Sequence, residues 1–277
     1  MAKILDVKPF ADKMLKRLKR ERKFFGKISL ASIKAGRDSS RDVYIASQIR
    51  LAEELDIDYQ LFEFGKGDDT RVLELIKSLN KNKLVKGVII HKPLPGRWDE
   101  FGLLNNLAPS KDIEGITPYN LGRIFLKNPG FLPPTVLSVL EVLKIVDICI
   151  YGKNVTLIGF SSHIGKPLSI ILTDRFATVS LTHIATYEKQ YLPFFLRSAD
   201  IIISCVGKPQ FIRGTWIKKG ALIIDVGISR YKGRLCGDVN FKEVEKKASF
   251  ITPVPGGVGV FTALFLFSNL LKSAKQG

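Results

Sequence analysis

Hydrophobic and polar positions along the chain fall into two kinds of period. KISLASIKAG, from about residue 27, is dense in apolar residues and predicts a strand. DVYIASQIRLAEELDI then spaces Val43, Ala46, Leu51 and Leu55 as a helix does. DYQLFEF reads as a strand. TRVLELIKSLNKN reads as a helix with Thr70 as its N-cap. KGVIIHKPLP reads as a strand that ends in a proline-rich turn. The segment 105-NNLAPSKDIEGITPYNLGR-123 is polar and turn-rich, and predicts a linker or a functional loop.

PPTVLSVLEVLKIVDI begins a second half as a helix. NVTLIGF, ATVSLTH, DIIISCVG and ALIIDVGI follow as buried strands, with HIGKPLSIILTDRF and YLPFFLRSA as helices between them. ITPVPGGVGV leads into VFTALFLFSNLL, which is too short an apolar run to cross a bilayer and predicts a buried helix. Strand and helix alternate twice, so the fold class is α/β with parallel sheets in two lobes. A cleft between such lobes, at the carboxyl ends of the strands, is the expected ligand site.

Composition changes this picture little. The 277 residues, 45% of them hydrophobic, suffice for one large or two ordinary domains. MAKILDVKPF passes straight into charged sequence with no apolar signal region, so no secretory leader and no membrane partner are expected. Cys149, Cys205 and Cys236 lie far apart without a CxxC pair, which fits a reducing cytoplasm and predicts neither a disulfide framework nor a metal site.

Charge adds a question. The formal net charge is +17, compatible with nucleic acid, with an anionic small substrate, or with a lysine-rich proteome. The charges are dispersed; only 15-LKRLKRERK-23 is a cluster, and no aromatic residue is interleaved with it. That run reads as solvated surface. A basic nucleic-acid-binding α/β protein is the alternative from a different class, but no recognition-helix or aromatic-platform motif accompanies the charge.

One loop carries chemistry on its own spacing. NVTLIGFSSHIGKP runs from strand through glycine turn to helix, with Gly159, Ser161 and Gly165 as G-x-S-x-x-x-G. Gly159 permits the turn, and the helix N-terminus offers N–H groups to a phosphate. Ser162, Lys166 and Pro167 adjoin it, and His163 is expected at the surface facing the phosphates. An NAD site places an acid after the second strand, whereas VSLTHIAT offers Thr182, His183 and Thr186, which leans towards NADP with NAD still possible.

Several motifs then coincide in order: KPLPG, PSKDIEGITPYNLGR, GFSSHIGKPLS, VGKPQFI, IDVGISR, GDVNF and ITPVPGGVGV. Together they resemble the bifunctional methylenetetrahydrofolate dehydrogenase/cyclohydrolase (FolD) family over nearly the whole chain. The resemblance implies a folate-binding catalytic domain of residues 1–122 plus 255–277, and a Rossmann-like NAD(P)-binding domain of residues 123–254. It implies hydride transfer from 5,10-methylenetetrahydrofolate to NAD(P), hydrolysis of the methenyl product to 10-formyltetrahydrofolate, and a homodimer. It places Tyr44, Gln48, His91, Pro93, Leu94, Glu114, Pro255, Gly256, Gly257 and Thr262 around the tetrahydrofolate. It places Gly159, Ser161, Ser162, Gly165, Lys166, Pro167, His183, Val206, Gly207, Pro209, Asp225 and Gly227 around the cofactor. Glutamate tails of folates would give the basic balance a use.

The chain departs from the family pattern where the chemistry lies. The family carries Tyr-x-x-x-Lys on its first long helix; here Tyr44 is followed by Gln48. That lysine is the family's acid–base group in the hydrolytic step, and an amide has no titratable proton to replace it. The family's Gln-x-Pro-Leu-Pro is here His91-Lys92-Pro93-Leu94-Pro95, and its pterin-binding aspartate is here Glu114. Val260 stands where proline is usual, and PxTP appears as Pro133-Pro134-Thr135-Val136. Three readings stay open. The site is re-wired, with His91 titrating near neutral pH to supply the lost proton chemistry. Alternatively, dehydrogenation survives without hydrolysis, or the chain binds a folate without catalysis. Strand alternation should turn Lys92 away from His91 unless the Pro93 turn bends it back.

Overall fold

The computed structural model describes residues 1–36, 39–96 and 98–276, with Ser39 and Ser40 described in their backbone alone. Strand β1 (Lys3–Ile4) and helix α1 (Lys8–Arg22) open the chain. Next come β2 (Ser29–Ala35), α2 (Ser39–Glu54), β3 (Asp58–Phe64), α3 (Asp69–Lys81) and β4 (Val85–Ile90). Helices α4 (Glu100–Asn106), α5 (Pro118–Phe125) and α6 (Pro134–Ile145) follow. The second alternation is β5 (Asn154–Ile158), α7 (Gly165–Asp174), β6 (Thr178–Thr182), α8 (Ile184–Glu188), α9 (Leu192–Ser198) and β7 (Ile201–Ser204). It continues with β8 (Leu222–Asp225), β9 (Ser229–Tyr231), β10 (Arg234–Cys236), α10 (Phe241–Val244), β11 (Phe250–Ile251) and α11 (Val258–Gln276).

The chain divides into two compact units, one of residues 1–11 and 135–262, the other of residues 12–134 and 263–277. These are not the expected boundaries. The first residues leave the N-terminal unit because β1 pairs in parallel with β11, Lys3 beside Phe250 and Ile4 beside Ile251. Residues 123–134 stay in it, with the end of α5 and the buried Phe131 that follows.

The unit of residues 12–134 holds a three-stranded parallel sheet in the order β3-β2-β4. Ala31, Ile33, Val88 and Ile90 point to one face and pack with Val72, Ile76 and Leu79 of α3 and Leu103 and Leu104 of α4. Paired residues of a parallel ladder share a face, and side chains alternate along each strand. The register sets Leu30 beside Tyr59 and Ser32 beside Ile89. Tyr59, Ser32 and His91, which follows β4, therefore share the opposite face.

Helix α11 completes this unit. Asn269 is buried and donates to the carbonyls of Ile113 (2.7 Å) and Leu132 (3.0 Å). Ser273 donates to the carbonyls of Lys86 (2.5 Å) and Ser110 (2.8 Å). Gly87 of β4 makes room there, since an added Cβ would stand 2.7 Å from side-chain carbons of Ile113 and Leu270 and would force them to shift. The helix runs 19 residues, so the expectation that it is too short to span a bilayer is corrected: by length and composition it could. Its buried Phe261, Leu264, Phe267, Leu270 and Leu271 and its tertiary hydrogen bonds fit a core helix, as expected.

The other unit carries a six-stranded parallel sheet, β1-β11-β8-β7-β5-β6, together with the antiparallel pair β10-β9. Its central strands are buried on both faces, and Ile201, Ile202, Ile203, Ile223 and Ile224 read as continuous apolar runs for that reason.

Three local expectations are corrected. The stretch 105–123, expected as loop, contains the end of α4 and the start of α5, where Thr117 caps the helix by accepting from Asn120 N and Pro118 holds the first position. Asp68, not Thr70, occupies the N-cap position of α3. All but the last residue of the basic run 15–23 lies on α1, and not all of it is solvated. Ala11, Met14, Leu18 and Arg22 fall three or four apart on the buried face. Arg22 is 8% exposed and donates to the carbonyls of Asp56 (2.6 Å) and Phe25 (2.7 Å).

Candidate active site

Helix α2 sets Tyr44 and Gln48 one turn apart. Gln48 is 0% exposed. Its Oε1 accepts from the Tyr59 hydroxyl at 2.6 Å, while its Nε2 is buried with no acceptor in reach. An unpaired buried donor is costly, and the neighbouring Tyr44 hydroxyl is the polar group beside it on the same helix. His91 is 5% exposed, and its Nε2 lies 2.8 Å from Ser32 Oγ. The Tyr44 ring meets the His91 ring edge-on, centroids 6.4 Å apart and planes at 86°.

Electrostatics redistribute the chemistry expected of these residues. Burial, with Arg41 and Lys34 nearby, pushes His91 down to about 4. His91 is thus neutral at physiological pH, and the expectation that it titrates near neutrality is corrected. Burial pushes Glu114 up to about 7, with the Asp112 carboxylate adding and Lys92 opposing. Of Tyr44, His91 and Glu114, the group that titrates near neutrality is therefore Glu114. Burial and the charge of Glu114 raise Tyr44 well above the usual phenol range, so it stays protonated. Tyr59 is pushed up to about 12 by burial and by Glu114, against a hydrogen bond from Ser32.

Asp112 anchors the loop that presents Glu114. Its buried carboxylate accepts from Ile116 N (3.2 Å), Thr117 N (2.7 Å) and Asn120 Nδ2 (2.8 Å). Lys92 pairs with Glu100, and Arg41 donates to the Pro93 carbonyl at 3.1 Å, across the cis Lys92-Pro93 bond. Leu94 packs partly against the apolar face of the sheet.

The nucleotide loop has the expected geometry. Gly159 ends β5 at φ +107°, and a Cβ on Gly165 would stand 1.9 Å from the Gly159 carbonyl, so the helix enters against the turn only as glycine. Ser161 Oγ accepts from Ile164 N at 3.2 Å, and Ser162 hydrogen-bonds His163. Pro167 is buried at the start of α7; Lys166 lies over Phe160, which stacks edge-on with the exposed His183. Thr182 is spent on the fold, donating to the Leu157 carbonyl at 3.0 Å, and half-buried Thr186 accepts from His183 N at 3.3 Å, which leaves His183 as the exposed polar group of the three. These groups fit a nicotinamide dinucleotide: a glycine turn that a side chain would fill, a helix start and a cation beside it.

A second loop is held by carboxylates. Asp238 accepts from Ser204 Oγ (2.8 Å), Val206 N (2.9 Å) and Lys208 N (2.7 Å), fixing Val206, Gly207 and Pro209. Asp225, 4% exposed, accepts from Gly227 N (3.1 Å), Asp238 N (3.0 Å) and Val239 N (2.9 Å). Burial pushes Asp225 up to about 7. Its oxygens face the fold's own amides. Pro255 (cis after Val254), Gly256 (φ +99°) and Gly257 precede α11, and Thr262 lies 3.3 Å from Ser138 Oγ. These four belong to the unit of residues 135–262, whereas Tyr44, Gln48, His91, Pro93, Leu94 and Glu114 belong to the other.

Sequence reasoning passed over Ser32, Tyr59, Asp112 and Asp238. Asp112 and Asp238 sit in the KDIEG and GDVN motifs, which is a signal. Ser32 and Tyr59 carry one only once the sheet register is known.

Comparison with known proteins gives this geometry its context. Residues 5–114 match the family model for the tetrahydrofolate dehydrogenase/cyclohydrolase catalytic domain, and residues 133–277 match that for the NAD(P)-binding domain. The bifunctional protein FolD of Aquifex aeolicus is 38% identical over 283 residues, covering 100% of this chain and 96% of the relative. That of Thermodesulfovibrio yellowstonii is 38% identical over 280 residues, covering 99% and 97%. Among solved structures, the FolD enzyme of Campylobacter jejuni superposes with a TM-score of 0.93 at 35% identity, covering 100% and 99% of the two chains. A Trypanosoma brucei FolD complexed with NADP cofactor and inhibitor gives 0.92 at 30% identity, covering 99% and 98%. The chain belongs to the tetrahydrofolate dehydrogenase/cyclohydrolase family.

Proposed function

We propose that this chain oxidises 5,10-methylenetetrahydrofolate to methenyltetrahydrofolate with NADP. The observation that carries the reading is the gathering of Tyr44, His91 and Glu114 around one sheet face, in the unit that matches the family's catalytic domain. NADP, when bound along Gly159, Ser161, Gly165, Lys166 and the Val206–Pro209 loop, supplies the hydride acceptor. The chain's own residues position the folate. The Glu114 carboxylate accepts the N–H groups of the pterin, and Tyr44 packs on the substrate with a phenol that stays protonated. His91, neutral, contributes a hydrogen bond and no charge. Positioning of this kind is most of what hydride transfer needs. The stretch 179-VSLTHIAT-186 holds no acid and exposes His183, which supports NADP over NAD.

A second reading is that the same site hydrolyses the methenyl product to 10-formyltetrahydrofolate. One observation favours it: Glu114, pushed up to about 7, is suited to general acid–base work near neutrality, which neither Gln48 nor His91 can do. A homodimer in the cytoplasm completes the reading, by likeness to the family.

The test is a two-step assay on the purified protein with 5,10-methylenetetrahydrofolate, with NADP and then with NAD. Methenyl absorbance should appear with NADP. Its decay faster than in buffer alone would establish hydrolysis, and decay at the buffer rate would leave a dehydrogenase only. No methenyl formation with either cofactor would sink the proposal.

A further inference from the structure

The polar groups beneath α2 form one chain whose hydrogen bonds have a direction. Ser32 Oγ lies 2.8 Å from His91 Nε2 and neighbours the Tyr59 phenol. The Tyr59 hydroxyl donates to Gln48 Oε1 at 2.6 Å, the one direction an amide oxygen allows. With Oε1 taken, the side of Gln48 that remains is the NH2 group, fully buried and without an acceptor. The phenol oxygen whose ionised form this amide favours is that of Tyr44, one turn before it on α2.

An amide nitrogen can only donate, so closing that last gap would leave the Tyr44 oxygen as acceptor and turn its own proton away from Gln48. We propose that Tyr59 is a positioning residue: through Gln48 it sets Tyr44 as a hydrogen-bond donor to a carbonyl oxygen or amine nitrogen of the reduced pterin. The inference rests on the folate reading above. The chain orients and polarises rather than conducts, because an amide does not pass a proton along as a hydroxyl does. Gaps of this kind close in the substrate complex. Gln48 is then not an empty replacement for a lysine. It is one link of a network that includes Ser32 and Tyr59 on the neighbouring strands.

The decisive variant is Gln48→Glu, which keeps the shape and reverses the direction. A carboxylate only accepts, so it would take the protons of both tyrosines and turn Tyr44 from the substrate. The kcat/KM for 5,10-methylenetetrahydrofolate should fall by about tenfold or more at alkaline pH, about the worth of one hydrogen bond. Measured as a ratio to wild type at each pH, it should recover as pH falls and the new acid regains an O–H to donate, a profile that a merely structural role would not produce. Tyr59→Phe should lose a similar factor without the pH dependence, with its melting temperature as the check on folding. Tyr59→Phe should add nothing further to Gln48→Met. Wild-type turnover with a Gln48→Glu variant equally active at neutral and alkaline pH would overturn the inference alone, because Tyr44 would then be donating to Gln48. A wild-type protein inert towards the folate would overturn the reading beneath it as well.

Discussion

Glu114 gives the site a pH dependence with a definite sign. Its carboxyl is raised from the ordinary range to about 7 in the folded protein. Folding then favours the protonated acid. Its contribution to stability is whole below the unfolded value and is lost as pH rises towards about 7. Activity runs the other way, because the carboxylate is the form that accepts pterin N–H groups. The kcat/KM should rise with pH through about 7, and Glu114→Gln should abolish that inflection while lowering kcat/KM; a pH–rate profile of both proteins checks this. His91→Asn should lower kcat/KM and leave the inflection in place, since His91 lies near 4 and is silent over that range. Tyr44, His91 and Glu114 were legible in the sequence because each sits in a short motif. The protonation states were not, because burial and the charges of Asp112, Lys92, Arg41 and Lys34 come from distant segments. Ser32 and Tyr59 were invisible for the same reason: their bonds cross strands.

At the scale of elements, the nucleotide site is two loops, each fixed by a different device. The first is steric, with Gly165 against the Gly159 carbonyl. Gly165→Ala should abolish NADP binding in a fluorescence titration, since the new carbon has no room. The second is electrostatic, with Asp238 drawing Val206 N and Lys208 N inward. Asp238→Asn puts an amide donor among donors. It should raise the KM for NADP and lower the melting temperature while leaving folate affinity unchanged, and paired titrations with the two ligands would show it. The long apolar strands and the glycine turn were readable from period and spacing. Helices α1, α4 and α5 were not, because their helical faces are short or interrupted by lysine and glycine. Arg22 shows why charge misled there: its stem follows the apolar face of α1 while its guanidinium caps buried carbonyls.

For the molecule as a whole, the formal charge of +17 is spread over most helices instead of forming one dense cluster. A spread field attracts anions weakly and over distance, and salt screens it within about 8–10 Å at moderate ionic strength. The KM for a folate bearing several glutamates should therefore rise with added salt more steeply than that for a monoglutamate. Equal slopes in a salt series would leave the charge without this role. The two-unit organisation was expected from the repeated alternation. Its boundaries were not, because a two-residue strand such as β1 carries no periodic signal and is placed only by its partner β11.

Each unit is closed by a segment from the far end of the chain: residues 1–11 join 135–262, and residues 263–277 join 12–134. Synthesis is vectorial, so the unit of residues 12–134 cannot finish as it emerges, whereas the other has its distant segment in hand first. The three-stranded sheet leaves the ribosome long before Asn269 and Ser273 arrive to satisfy the carbonyls of Ile113, Leu132, Lys86 and Ser110. Until then that face of β4 stands open, with Gly87 shaped for a helix not yet made. The nascent protein is thus committed to a long exposed interval that lasts until residues 263–277 are made, and a chain cut before Asn269 would leave the carbonyls of Ile113, Leu132, Lys86 and Ser110 without these donors.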